Sequence, residues 1–446
     1  RRTSYRVTLF AELGMSITES QSLKCIANPL SPTRQFWRIR SICKVGRHGL
    51  GRQWQFAIPL VVAGFSALPA VADEYDALNV LVGATITHDS NLFRVPDSGN
   101  PQSDTISAGS VGLQFDKPYA QQRFQLAVTE TAYRYDRFSY LDFDAFNYRG
   151  AWLWHLTPRV NGTLIAARTE ALVPFQDTTN KNRNVRTTDD YAFTLDGWVS
   201  GAWHALLGVS QTEQTSEQPS ESTPDFRGVS GEVGVKYLAS SGSWLSVVQR
   251  ATRGEYLNGS VVDPNNPGVN DNYHQDESEL QARWILNAKS IVTGRLTWID
   301  RRNDNFTQGD FSGLAGKLAY TLLPTAKLNL DFAAQRDLYA WQGQGQNPAS
   351  TYKADNIVSF TPTWQAGAKV TVRASLQHIK SDYYGGPPSN APARSDTTNI
   401  ALIGADWSAL RSLTISTSLQ RQERSSSDDQ AEFNDTLVNV GLLLNF

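Results

Sequence analysis

The sequence predicts an all-β protein: an antiparallel transmembrane β-barrel of about 18 strands. Three observations predict it: strict two-residue alternation at the carboxy-terminal end, an aromatic residue recurring beside tight turns, and long polar loops alternating with short connections. At the end of the chain Thr436, Val438, Val440, Leu442, Leu444 and Phe446 share one face, while Leu437, Asn439, Gly441, Leu443 and Asn445 share a more polar one. Residues 370–376 and 413–420 alternate in the same way, with Val370, Val372, Ala374 and Leu376 opposing Thr371, Arg373 and Ser375.

The aromatic repeat sets the strand count. Trp154, Trp203, Tyr237, Trp284, Tyr320, Trp364 and Trp407 each stand beside a short turn, spaced 34 to 49 residues apart. Phe115-Asp-Lys-Pro-Tyr is a looser eighth member. A propeller also repeats at such lengths, but its blades carry four short strands, and each interval here holds two strands and one long loop. Trp and Tyr favour the headgroup layer, where the ring leaves water and the polar tip stays wet. The seven residues are therefore expected to form the periplasmic aromatic girdle of the barrel. A soluble β-sandwich would put the same rings in a core, but eighteen strands in one soluble sheet system would be unusual.

Between the turns lie nine segments rich in Asp, Asn, Ser, Gly and Pro: 89–103, 136–144, 169–188, 211–227, 253–277, 300–310, 338–354, 381–396 and 422–434. Nine long loops and eight short turns give eighteen strands with both termini on the short-turn, periplasmic side. The barrel is expected to close through the strand ending at Phe446.

The beginning of the chain reads differently. Arg47, His48 and Arg52 precede an apolar stretch from Phe56 to Leu68, followed by Ala70-Val71-Ala72. That is a basic region, a short apolar region and a small-residue cleavage site, the pattern of a secretory signal. The apolar stretch is short of the roughly 20 residues a membrane helix needs. Residues 47–72 are therefore expected to be a cleaved signal peptide, and 73–446 the barrel. Residues 1–46 are expected to be an extension outside the mature protein, with the true start near Val45 or Leu50.

Residues 1–72 carry ten Lys/Arg, two Asp/Glu and both cysteines, Cys25 and Cys43. The remaining 374 residues hold 31 basic and 41 acidic side chains, a formal charge of −10. An acidic chain lacks the basic face a nucleic-acid partner requires, and without cysteine it has no disulfide or thiol chemistry. Its five histidines, His88, His155, His204, His274 and His378, show no metal-ligand spacing, so neither a metal nor a cofactor is expected. Gly-x-Ser-x-Gly is absent, and Ser425-Ser426-Ser427-Asp428-Asp429 has the composition of a solvated loop tip. Triads are recognised by geometry, which leaves an enzyme or adhesin on a barrel scaffold as a third-ranked reading.

Phasing each strand by its apolar face points Arg149, Glu232, Arg283, Arg295, Lys317, Asp331, Arg373 and Asp406 into the lumen. Inward rings of Arg and Lys favour anionic solutes; the same residues could equally cross-link the wall as a ladder. Tyr256, Tyr339, Trp341, Tyr383 and Tyr384 are expected in an aromatic girdle on the long-loop side, with sugar stacking as the other reading.

The segment from Asp73 to Val80 leads to Thr87-His88-Asp89-Ser90-Asn91-Leu92-Phe93-Arg94. This opening resembles the EpsL-type exopolysaccharide transporters of exosortase-associated polysaccharide gene clusters in Gram-negative bacteria. More broadly it resembles outer-membrane porin families whose first strand ends in Asp-x-Asn-Leu-Phe-Arg. Only these first residues carry a recognisable motif. The resemblance implies an outer-membrane pore through which a secreted polysaccharide leaves the cell, with membrane lipid and periplasmic export components as partners and no catalytic residues. A general or small-solute porin is the alternative. Loop folding separates the two, because a loop folded into the lumen suits small solutes whereas a polymer needs a clear bore. In the motif itself, Asp89-Ser90-Asn91 is expected to end strand one, with Leu92, Phe93 and Arg94 turning into the first long loop or back into the lumen.

Overall fold

The computed structural model describes residues 77–177, 180–218, 225–257, 272–305, 307–340, 352–384 and 394–446. The extension, the signal-peptide region and Trp341 lie outside the described residues. Eighteen antiparallel strands form one sheet. They are β1 (Leu78–Asp89), β2 (Asp104–Tyr119), β3 (Gln122–Tyr135), β4 (Phe143–Thr157), β5 (Val160–Leu172), β6 (Val185–Ser200), β7 (Trp203–Ser216), β8 (Phe226–Leu238) and β9 (Trp244–Tyr256). The second half comprises β10 (Tyr273–Asn287), β11 (Ser290–Asn303), β12 (Phe311–Thr325), β13 (Leu328–Ala340), β14 (Tyr352–Gln365), β15 (Val370–Tyr384), β16 (Ser395–Ser408), β17 (Leu413–Ser426) and β18 (Phe433–Asn445). Each strand pairs with its sequence neighbours, and β1 pairs with both β2 and β18, from Leu81↔Asn445 to Asp89↔Leu437. The sheet is a closed barrel without an edge.

The predicted strand count and the predicted alternation of short and long connections both hold. The loops are shorter than composition suggests, because polar stretches such as 211–216, 253–256 and 422–426 continue as strand. Those ends are polar on both faces, so composition reads them as loop while the hydrogen-bond ladder carries them on. One predicted turn is displaced by several residues: the turn expected three to five residues after Trp203 instead lies just before it, and Trp203 opens β7, paired with Ser200 across the connection.

The barrel is apolar outside. Every strand places at least one large apolar side chain on the exposed outer face, among them Val82, Val111, Val247, Leu318, Val358 and Val440. A continuous belt of this kind is incompatible with water and is the lipid-facing surface of a membrane barrel. No helix among the described residues is long and apolar enough to cross a membrane; the crossing is made by strands. The interior is polar along most of its height, with two apolar clusters at the long-loop end.

Those clusters come from two breaks in the ladder. Pairing of β4 with β5 stops at Tyr148↔Arg168 although both strands continue, and pairing of β12 with β13 stops at Gly316↔Arg336. Side chains take over the lost backbone bonds. The Glu170 carboxylate accepts from the Phe146 N–H at 2.8 Å, and the Glu170 N–H donates to Asn147 Oδ1 at 2.7 Å. At the second break Arg336 Nε donates to the Leu314 carbonyl at 3.2 Å.

Beyond each break the next hairpin leans into the barrel. Alternation puts Leu172 and Val185 on the outer face, yet they pack with Ile106, Tyr135, Phe143 and Ala145 of the inner face. Leu338 and Ala354 likewise pack with inner-face Ile299, Phe311 and Ala315, and the Phe311 and Tyr352 rings stack with centroids 5.0 Å apart. The ends of the β5–β6 and β13–β14 hairpins therefore lie inside the neighbouring wall. β5 and β13 are eight strands apart in a ring of eighteen, so the two intrusions come from nearly opposite sides.

Candidate functional site: the barrel lumen and its long-loop mouth

The mouth is organised by the segment that follows β1. Asp89 accepts from Arg94 Nη1 and Nη2, both at 2.9 Å, and from the Asn91 N–H at 2.9 Å. Arg94 Nη2 also lies 3.0 Å from Asp435 Oδ2 of β18. The side chains of Asp89, Arg94 and Asp435 are all essentially buried. Asn91 Nδ2 donates to the carbonyls of Val95 and Asn434 at 2.7 and 3.0 Å, and Ser90 Oγ donates to Asp435 at 3.1 Å. Arg94 sits at φ +53°, in the left-handed region, which costs a side-chain-bearing residue about 1–2 kcal/mol. The three-group ion cluster holds it there.

This polar knot turns Leu92 and Phe93 inward, where both are buried. Phe93 meets Phe138 and Phe175 edge-on at 4.9 and 5.0 Å, and the Lys181 ammonium lies 4.9 Å from its ring centre. Phe175 belongs to the loop between β5 and β6. The carbonyl of Gln176 in that loop accepts a hydrogen bond from Arg424 of β17, on the far side of β1 in the ring. Arg424 Nε is held by the Ala431 carbonyl at 2.7 Å. Loop segments and one inward hairpin are thus tied together across the mouth. Of the two destinations expected for Leu92, Phe93 and Arg94, the inner one is observed.

All eight predicted lumen residues lie on the inner face. They divide by partner. Arg373 pairs bidentately with Asp406, which also accepts from Ser416 Oγ at 2.8 Å. Glu232 pairs with Arg250 at 2.8 Å, and the same guanidinium reaches Glu277 at 2.8 Å and Glu279 at 4.0 Å. Arg295 continues the row at 3.9 Å from both Glu279 and Asp337. A charge ladder therefore crosses β8, β9, β10, β11 and β13. Arg250, Glu277 and Glu279, three of its members, were not singled out from sequence; inner-face parity applied to β9 and β10 would have found them. Asp331 is held by Thr321 Oγ1 at 2.5 Å and Asn329 Nδ2 at 2.6 Å.

The remaining bases are different. Arg149 stands between Ala127 and Ala167 on the adjacent strands and projects from a floor of methyl groups. Lys317 faces Arg295 directly across the β11–β12 pair, a like-charge juxtaposition that costs stability. Arg149 and Lys317 have no carboxylate partner among the described residues. Among the described residues Arg283 reaches only the Gly242 carbonyl, at 3.3 Å.

The seven short-turn aromatics all lie on the outer face. Trp203, Tyr237, Trp284, Trp364 and Trp407 are substantially exposed there and Tyr320 is half-buried. Trp154 is only 5% exposed. Its ring lies over Gly162 on β5 and stacks on Phe193 at 5.6 Å. A Cβ at Gly162 would fall 2.5 Å from that ring and 1.9 Å from the Thr194 carbonyl oxygen, so glycine is required for the tryptophan to lie flat. The expected long-loop girdle needs correction. Tyr383 is buried and donates to Asp396 at 2.9 Å, Tyr339 donates to Asp355, and Tyr256 accepts from Arg301 at 3.1 Å. These three rings serve the interior network, and Tyr384 alone of the described members is on the outer face.

The histidines are dispersed. His204 sits 2.6 Å from Asp196, which Lys236 also holds, His155 contacts the Trp154 carbonyl at 3.1 Å, and His378 contacts Asn399 at 2.8 Å. Among the described residues no three His, Cys, Asp or Glu side chains gather in a metal-binding group.

No family model and no curated protein matches the chain. Solved structures do. OccK2 (OpdF) of Pseudomonas aeruginosa aligns at 9% identity with a TM-score of 0.48, covering 83% of this chain and 98% of that one. OccK1 (OpdK) of the same organism aligns at 8% identity and TM-score 0.46, with 83% and 99% covered. The Pseudomonas aeruginosa ferric enterobactin receptor PfeA, as a mutant, aligns at 10% identity and TM-score 0.44, with 83% and 80% covered.

Proposed function

We propose that this protein is a passive outer-membrane pore for small polar solutes, with anionic ones favoured. The observation that carries the reading is the mouth: two hairpins and the segment after β1 fold inward, and Arg424 ties one of those loops to β17, beyond β1 in the ring. A bore narrowed in this way suits solutes of limited size, whereas a polysaccharide chain in transit needs clearance along its whole length. The polar inner face supplies a path through the membrane. Arg149 and Lys317, free of carboxylates, bias that path toward anions. The barrel would sit with its long loops outward and both termini periplasmic, delivered by the signal peptide at 47–72. No catalytic role is assigned.

The test is single-channel recording of the purified protein in a planar bilayer, with reversal potentials in a salt gradient and with added polysaccharide. Steady conductance with an anion-selective reversal potential, indifferent to polymer, is expected. A large conductance blocked by polymer would restore the polysaccharide-export reading. Absence of conductance would overturn both.

A further inference from the structure

We infer that the upper part of the β5–β6 hairpin is a hinged gate with two seats. One is the inward seat seen here; the other zips the β4–β5 ladder to its end and widens the mouth. The register is already set for the second seat. β4 and β5 pair in one register from Trp154↔Gly162 to Tyr148↔Arg168. Continued without a shift, it sets Asn147 against Thr169, Phe146 against Glu170 and Ala145 against Ala171. Both edges are extended there and keep their other neighbours: β4 stays on β3 up to Tyr133↔Phe143, and β5 on β6 up to Leu172↔Val185. β6 also stays on β7 up to Arg186↔Ser216. The two seats therefore differ by a bend of the wall about Arg168, and neither requires an existing ladder to break.

Side chains hold the fork open by standing in for the next rung. In an antiparallel ladder every second opposed pair exchanges its N–H bonds. Phe146 and Glu170 are such a pair, because both of their N–H groups point across the gap. Each is met there by a side chain of the other edge, Phe146 by Glu170 Oε2 at 2.8 Å and Glu170 by Asn147 Oδ1 at 2.7 Å. Zipping exchanges these two bonds for two backbone bonds, so the fork itself discriminates little between the seats. The choice rests on what the tip touches. Inward, Leu172, Phe175 and Val185 pack into the mouth cluster, Arg424 donates to the Gln176 carbonyl, and Tyr140 Oη donates to the Lys181 carbonyl at 3.1 Å. Outward, Leu172 and Val185 pass to the outer face, which their alternation already matches. The same sequence thus satisfies both positions of the hairpin.

Disulfide trapping reads the outward seat directly. The sequence has two cysteines, Cys25 and Cys43, both ahead of the barrel, and serine replaces them in the background used. Ala145 and Ala171 oppose each other only in the zipped register; in the seat seen here Ala145 is fully buried within the cluster that holds Leu172 and Val185. A145C/A171C in the folded barrel, in vesicles under mild oxidant, should crosslink, read by mass spectrometry of the joined peptides. A151C/I165C, opposed in the ladder as it stands, sets the rate for a permanently zipped pair, and the test pair should react more slowly. E170A removes a stand-in from the inward seat alone and should speed the A145C/A171C reaction about fivefold, the contribution of one hydrogen bond. A heat-modifiable gel shift confirms that each variant is folded. In planar bilayers the crosslinked protein should hold a steady, higher current that a reductant reverses; this gating role rests on the pore reading above. A fully crosslinked A151C/I165C beside an unreacted A145C/A171C would overturn the gate, as would a crosslink that leaves the current unchanged. A barrel that crosslinks but never conducts would overturn the pore reading instead and support the two seats.

Discussion

Replacing Arg94 with alanine should open the mouth without unfolding the barrel. The substitution removes the cation that, among the described residues, Asp89 and Asp435 share, and leaves two buried carboxylates facing each other. Breaking a buried pair by deleting one partner costs about 3–5 kcal/mol. The apolar anchors of the same segment, Leu92 and Phe93, contribute about 1.5–3 kcal/mol each on burial. The loss is as large as what still holds the segment down, so its docking equilibrium falls by about a hundredfold or more. The strands are untouched, because β1 and β18 stay paired up to Asp89↔Leu437. Two assays report it. Chymotrypsin should cut at Leu92 or Phe93 in folded R94A but not in the unaltered protein, and single-channel records should gain a noisy state of higher current. D435N keeps the Arg94–Asp89 pair and should be milder in both. An R94A protein with chymotrypsin resistance and current both unchanged would refute the argument that the ion cluster holds the segment.

Other perturbations test the wall. K317E converts the like-charge pair with Arg295 into an attraction and removes a lumenal base; the reversal potential in a salt gradient should move toward cations. R250A strands Glu232, Glu277 and Glu279, and the urea midpoint of unfolding should fall. About 3 kcal/mol is expected, the lower end for a buried pair, because water reaches part of this side chain. G162A forces Trp154 off β5 and presses on the Thr194 carbonyl; a loss of about 1–3 kcal/mol should appear as a lower midpoint of heat modifiability.

The strand count, the closure and the face of each strand were legible because lipid on one side and water on the other impose a two-residue period that sequence displays directly. Loop length was less legible. Residues such as Thr187 and Gln214 are polar on a wall that has left the membrane, where nothing selects apolar side chains and only the backbone ladder marks the strand. The inward hairpins were not legible at all. Leu172, Val185, Leu338 and Ala354 keep the parity of lipid-facing residues, and alternation assigns them there. Only the ladder breaks at Tyr148 and Arg336 reveal that their apolar partner is the opposite face of the neighbouring wall. The Asp-x-Asn-Leu-Phe-Arg motif sits between these cases. Its turn chemistry at Asp89 and Asn91 could be read from residue types, whereas the pairing of Arg94 with Asp435 joins residues at opposite ends of the chain.

The two intrusions also explain why the interior can be charged without being filled. A barrel of this size could not close its mouth with side chains from the wall alone, since each reaches only a fraction of the diameter. Leaning two hairpins inward from nearly opposite sides narrows the mouth with backbone and buries the apolar residues that would otherwise meet water at that height. Below the mouth the wall must hold itself open. Paired groups such as Glu232 with Arg250 and Arg373 with Asp406 brace neighbouring strands and expose little net charge, so they contribute shape more than selectivity. Selectivity then falls to the few groups that the ladder leaves out. On the proposed reading, Arg149 on its alanine floor and Lys317 opposite Arg295 are inner-face bases at which a passing anion has no carboxylate to displace, none being paired with them among the described residues. Mutating a braced pair should therefore change stability more than ion preference, and mutating Lys317 should do the reverse.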